Sequence, residues 1–246
     1  MSNADTGPSD TGPCFYCPEL PPEGEAGALV EAEARHAAAA RRLRNGDVIG
    51  LIDGRGTRAS AVVESLARRS LTFIVQRRWK VPPPLPRVFV ATAVPKGERF
   101  RTMIDMLSQI GVAGIIPLEC ERGVVKPARS SPGRWRRIAV EACKQSRNPY
   151  LPEIFPGMEL EESLARSDAA DRLVYADAGG GPLEDCVAAD ENFWLYVGPE
   201  GGFTGAEKEL LSRRGARPVS LGGNILRVET AAVAGVVLAM LSAGRG

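Results

Sequence analysis

Residues 82–86 read Pro-Pro-Pro-Leu-Pro, and this segment constrains the chain more than any other. A proline fixes φ at about −65° and has no amide donor, so such a run suits neither a helix interior nor a central strand. It forms a stiff extended spacer and predicts a domain boundary. Before it, residues 14–81 read as a β-rich unit with one early helix at 30–43. Asn45-Gly46-Asp47 turns into a strand at 48–52, and Asp53-Gly54 is a hairpin signal leading to strands at 58–66 and 71–76. Short strands joined by tight turns predict a small β-barrel. After the spacer, residues 87–246 alternate strands with helices, the pattern of a parallel α/β sheet. Strands are expected at 87–93, 114–118, 173–176 and 193–197. A helix at 100–110 should be closed by Gly111, and another should start at Ser131-Pro132 and run to about 146. The run Gly179-Gly180-Gly181 reads as a loop.

The 246 residues suffice for two modest domains, and the first 13, polar and acidic, read as a disordered tail rather than a secretory signal. The apolar stretch at 231–241 is too short to span a membrane and is expected as a buried helix. A cytoplasmic address follows by default. Formal net charge is only +1, which alone argues against a nucleic-acid partner. Its distribution argues the opposite: 15 basic against 4 acidic residues over 35–101 and 7 against 1 over 126–147, reversing to 2 against 12 over 148–200. Such segregation predicts a polyanion-binding face hidden in a neutral total, although for any single cluster scattered solvated arginines are the plainer reading. Five cysteines, an odd number, make a disulfide framework improbable. Cys14 and Cys17 form a CxxC, but no second pair exists and His36 is the sole histidine, so no metal site is expected.

Two glycine-bearing turns carry the chemistry. Gly198-Pro199-Glu200-Gly201-Gly202-Phe203 follows the apolar strand at 193–197 and leads into a helix begun by Thr204, with Glu207 three residues on as a capping box, and ended by Gly215. Leu221-Gly222-Gly223 follows a strand at 218–221 and leads through Ile225-Leu226-Arg227 into a helix from about 229. Glycines at strand ends let a ligand press against bare main chain. In open α/β sheets ligands sit beyond the carboxyl ends of strands, so two such turns propose one pocket. Neither turn has the P-loop or dinucleotide pattern, which disfavours ATP and NAD. On spacing alone, plain tight turns remain a competing reading.

The sequence GPEGGF before a capped helix, with Leu221-Gly222-Gly223-Asn224-Ile225-Leu226-Arg227-Val228-Glu229-Thr230-Ala231 some twenty residues on, resembles the RsmE family within the SPOUT class of methyltransferases. Lys96-Gly97, Glu121-Arg122, Arg134-Trp135 and Glu141-Ala142-x-x-Gln145-Ser146 fall where the family has similar residues. His36-x5-Arg42-x3-Gly46-Asp47 and Asp53-Gly54-x-Gly56 resemble its PUA-like RNA-binding barrel. The likeness covers nearly the whole chain from about Cys14.

Besides the tail at 1–13 and the linker at 82–86 read above, the resemblance implies a PUA-like β-barrel at 14–81 and a SPOUT domain at 87–246 that contains a deep trefoil knot; the family dimerises through this domain. It implies S-adenosyl-L-methionine as cofactor and N3 of a uridine in small-subunit (16S) ribosomal RNA, or the small subunit itself, as target, with neither membrane nor metal involved. Carried onto this chain, the cofactor residues are Val197, Gly198, Pro199, Glu200, Gly201, Gly202, Leu221, Gly222, Asn224, Ile225 and Leu226. Thr230 and Ala231 close the pocket, and Ala176-Asp177 forms a third edge. Arg227 is expected to stabilise the uracil carbonyl oxygen, and Glu229 to fix the loop or assist proton removal; an acid in a first helical turn also simply favours the helix dipole. RNA contacts are expected from Arg35, His36, Arg42, Arg77, Arg78, Lys96, Arg122, Arg134 and Arg147. Met106, Gln109, Asn148 and Asn224 depart from residues common in the family and bear on target identity and rate. A 2′-O-ribose methyltransferase, another base methylase or a non-catalytic assembly factor are the rival readings.

Overall fold

The computed structural model describes residues 12–30, 33–34, 43–67, 69–127, 132–188 and 191–244. The expected tail up to residue 11, most of the helix at 30–43, Arg35, His36, Arg42 and Ser131 lie outside the described residues. The chain divides into two compact units, residues 1–82 with 143–151 and residues 83–142 with 152–246. The break falls inside the proline run, but the return of 143–151 to the first unit is not foreseen by a linear boundary.

The first unit holds β1 (Cys14–Tyr16), β2 (Ala26–Val30), β3 (Val48–Ile52), β4 (Thr57–Leu66) and β5 (Ser70–Lys80) in the order β1-β3-β4-β5-β2. β1 runs parallel to β3 and the other pairs are antiparallel. Period-two burial places Leu71, Phe73 and Val75 of β5 on one face, where they meet Phe15, Ile49, Leu51 and Val63. The expected barrel is thus a five-stranded sheet whose recorded pairing, among the described residues, leaves β1 and β2 as edges. The Asp53-Gly54-x-Gly56 loop explains the return of 143–151. Asp53 Oδ1 accepts from the amides of Arg55 and Thr57 at 2.7 and 2.8 Å, shaping a loop whose Gly56 amide donates to Pro149 O at 2.9 Å. Leu151 N donates to Gly54 O, Tyr150 Oη donates to Val81 O at 2.7 Å, and Lys144 Nζ pairs with Glu33 at 3.0 Å.

The second unit is built on a parallel sheet: β6 (Val88–Ala93), β7 (Gly114–Glu119), β8 (Glu153–Ile154), β9 (Met158–Glu159), β10 (Arg172–Pro182), β11 (Phe193–Val197) and β12 (Arg217–Ser220). The order is β12-β10-β11-β6-β7-β8, with β9 beside β7. Every residue of β11 is buried, as a central parallel strand requires. The helices are α1 (Arg99–Ile110), α2 (Gly133–Ser146, of which residues 143–146 belong to the first unit), α3 (Leu160–Leu164), α4 (Gly205–Arg213) and α5 (Val228–Ala243). One face of the sheet packs Ala91, Ile116, Tyr175, Trp194 and Tyr196 with Leu160, Leu164, Phe203 and Leu211. Against β6 and β11 lies α5, which also contacts α1.

Two expectations need correction. The glycine run 179–181 is strand, not loop: β10 continues through it, with a register shift against β12 between Ala176 and Gly181. A Cβ at Gly180 would lie 2.4 Å from Val219 N, so the missing side chain is what lets β12 close in. The helix at 231–241 is buried on one side only. Val228, Ala231, Ala232, Gly235, Val236 and Ala239 face the interior, whereas Val237, Leu238 and Leu241 are 38, 38 and 56% exposed. A helix apolar all round carries no periodic signal to say which side is covered.

Candidate functional site

The two glycine bends emerge from the ends of the two strands that flank β10, the first after β11 and the second after β12. They meet around a cavity of about 320 Å³. One wall is Val197, Gly198, Pro199, Glu200, Gly201 and Gly202; the other is Leu221, Gly222, Asn224, Ile225 and Leu226, backed by Val228 and Ala231. Ala176, Asp177 and Ala178 of β10 form the third edge. Gly202 and Gly222 have φ of +69° and +131°, where a side chain is strained, and a Cβ at either would meet no atom within 4 Å. Glycine is therefore set there by backbone conformation, not by packing. Thr230, expected at this pocket, is exposed and is not among the residues that line it.

The first bend is held from three directions. Behind it, Thr204 caps α4: its hydroxyl accepts from Glu207 N at 3.3 Å while Glu207 Oε2 accepts from Thr204 N at 2.7 Å. The segment after β7 joins this cap, for Thr204 Oγ1 donates to Glu121 Oε2 at 3.0 Å and Glu121 N donates to Glu207 Oε1 at 2.9 Å. Next to it, Arg122 Nη1 donates to Gly201 O at 2.8 Å. From the segment after β6, Arg99 Nη1 donates to Glu200 Oε1 at 3.3 Å. Composition and spacing give no sign of Arg99, which lies two residues past the Lys96-Gly97 turn.

Lys208 of α4 also lines the cavity and is ion-paired with Asp177. The hydrogen bond from Lys208, then that from Gly179 N, holds the Asp177 carboxyl below its ordinary range. Lys208 follows the cap residue by one helical turn, a spacing that marks it in the sequence.

Arg227 is exposed at the N-cap of α5, in extended conformation, with no side-chain capping bond. Glu229, in the first turn, is 13% exposed, and its Oε2 lies 3.9 Å from Arg99 Nη1. Neither residue lines the cavity, although Arg227 directly follows its wall. Of the expected RNA contacts, Arg77 and Arg78 are exposed on β5, and Lys96 and Arg134 are exposed in the second unit. The Arg134 guanidinium lies 5.0 Å from the centre of the half-buried Trp135 ring, which packs nearly perpendicular to Phe100. Arg147 is half-buried, with φ +56°, and donates to Gly12 O at 2.6 Å; like Arg122 it spends donors on main chain.

A family model described as an RNA methyltransferase domain matches residues 82–240, and one for an RNA methyltransferase PUA domain matches 30–76. The chain is 34% identical over 228 residues to ribosomal RNA small subunit methyltransferase E of Mycobacterium bovis, covering 89% of this chain and 87% of that protein. The chain belongs to the ribosomal RNA small subunit methyltransferase E family. The Synechocystis member is 30% identical, with 87% of this chain and 72% of that protein covered. Among solved structures, methyltransferase E of Neisseria gonorrhoeae, bound to S-adenosylmethionine, superposes with a TM-score of 0.85 at 27% identity, covering 92% of this chain and 95% of that one. A Legionella pneumophila methyltransferase complexed with the same cofactor gives 0.85 at 26%, covering 94 and 98%. Both solved structures share the fold described above.

Proposed function

We propose that this protein methylates N3 of a uridine in small-subunit ribosomal RNA, using S-adenosylmethionine as donor. The observation that carries the reading is the convergence of both glycine bends on one cavity at the carboxyl edge of the sheet. Its size suits a small-molecule site. Main chain at Gly198–Gly202 and Leu221–Leu226 would hold the donor, with Val197, Ile225, Val228 and Ala231 as apolar surface for a purine ring. The Asp177–Lys208 pair offers both signs of charge to an amino-acid end. When bound, the donor supplies an electrophilic methyl group on a sulfonium.

The chain must then favour loss of the uracil N3 proton. Arg227, exposed beside the second bend, is the cation suited to the developing negative charge on the carbonyl oxygen. Glu229, mostly buried and near Arg99, suits fixing the bend better than carrying a proton. Arg77, Arg78, Lys96 and Arg134, together with Arg35, His36 and Arg42, supply RNA contacts, and such binding weakens with salt.

Two further features belong to this reading. The second unit forms a deep trefoil knot, supported by β12 lying at the sheet edge while the chain returns to place α5 against β6 and β11 at the centre. It dimerises through the apolar stripe Val237, Leu238 and Leu241 of α5. Incubation with donor and small-subunit ribosomal RNA, then mass spectrometry of its nucleosides, tests the assignment. 3-Methyluridine is expected; a 2′-O-methyl product refutes it, and donor binding without transfer to any RNA identifies an assembly factor instead.

A further inference from the structure

The geometry points to Arg99 as a positioning residue that clasps the two glycine bends together. Its guanidinium donates to Glu200 Oε1 on the first bend at 3.3 Å, and the same Nη1 lies 3.9 Å from Glu229 Oε2, two residues past Arg227 behind the second bend. Its Nε donates to Lys96 O at 3.3 Å, which anchors the side chain to the turn at Gly97, where φ is +67°. One side chain thus links the ends of β6 and β11 to the start of α5.

The chemistry of Glu229 makes this link matter. Glu229 Oε2 is buried and accepts no hydrogen bond from any described residue, so the guanidinium is the charge that faces it. Arg99 and Glu200 are more open, 36 and 48% exposed, so their contact by itself adds little stability. The value of Arg99 lies in setting the separation of two loops between which no hydrogen bond is found among the described residues. Its consequence for methyl transfer rests on the cavity being the donor site; the clasp itself does not.

The test compares Arg99→Leu, which keeps the aliphatic stem and removes the charge, with Arg99→Lys. Hydrogen–deuterium exchange of the donor-free protein is read at peptides covering 198–203 and 221–228. The clasp predicts faster exchange at both bends in Arg99→Leu, an unchanged sheet, and partial recovery in Arg99→Lys. Calorimetry should show roughly five-fold weaker S-adenosylmethionine binding, the effect of losing about 1 kcal/mol, with RNA affinity unchanged. Adding Glu229→Gln to Arg99→Leu should then cost little more, because the partner is already lost. Unchanged exchange at the second bend overturns the clasp, as does a loss confined to RNA affinity, which makes Arg99 a phosphate contact. A wild-type protein with no donor affinity sinks the functional reading alone, since exchange still decides the clasp.

Discussion

Arg227→Ala should separate transfer from folding, and the structure sets the size of both effects. The side chain is exposed at the N-cap of α5 and makes no capping bond, and its backbone at φ −68° and ψ 156° suits alanine equally well. Substitution at such a site costs within about 0.5 kcal/mol. For a chain of this size that lowers Tm by about 2 °C at most. If the guanidinium stabilises charge that develops only during reaction, its loss lowers kcat by about 10²–10³. The assay follows labelled methyl transfer from S-adenosylmethionine to small-subunit ribosomal RNA, alongside thermal unfolding and donor titration of the same preparation. A hundredfold fall in kcat with Tm and donor affinity nearly unchanged supports the role. Full activity removes Arg227 from the mechanism, and a Tm drop of about 10 °C would show that its part is structural instead.

Thr204→Ala removes a capping box and strips Glu121 Oε2 of its hydroxyl donor, so urea unfolding should show a loss of about 1–2 kcal/mol; no change would mean the cap is energetically idle. The proposed dimer is tested by Leu241→Asp on the half-exposed stripe of α5: a wild-type dimer and a monomeric variant of unchanged helix content are expected in sedimentation. An unaltered dimer would move the interface elsewhere. Burial pushes the thiol of Cys17 up to about 11 and those of Cys120 and Cys143 up to about 12. A raised value favours the inert neutral thiol, so at neutral pH these three should resist alkylation until the protein is denatured. Rapid native labelling of Cys120 would contradict its burial in the core beside Phe203 and Leu211.

What could be read from the sequence was whatever short-range pattern specifies. The strand at 193–197 matches because five consecutive apolar residues between turn signals have no other use in a parallel sheet. The Thr204–Glu207 cap matches because both partners lie within one turn. Both bends of the cavity were legible because glycine marks them, and Ala176-Asp177 joined them through resemblance. The contacts that hold the bends were not legible: Arg99, Arg122 and Glu121 reach partners 79 to 101 residues away, and nothing local in an arginine announces its acceptor. β8 and β9, two residues each, are too short to carry a period. The glycine run at 179–181 misled because its signal for a turn and its signal for close strand approach are identical.

A crystal structure grown with S-adenosylmethionine decides whether both bends hold the donor. The donor is expected in contact with main chain at both Gly198–Gly202 and Leu221–Leu226 of the same protomer, its amino-acid end near Asp177 or Lys208. Donor bound at any other surface, or a cavity empty at saturating donor, would contradict it.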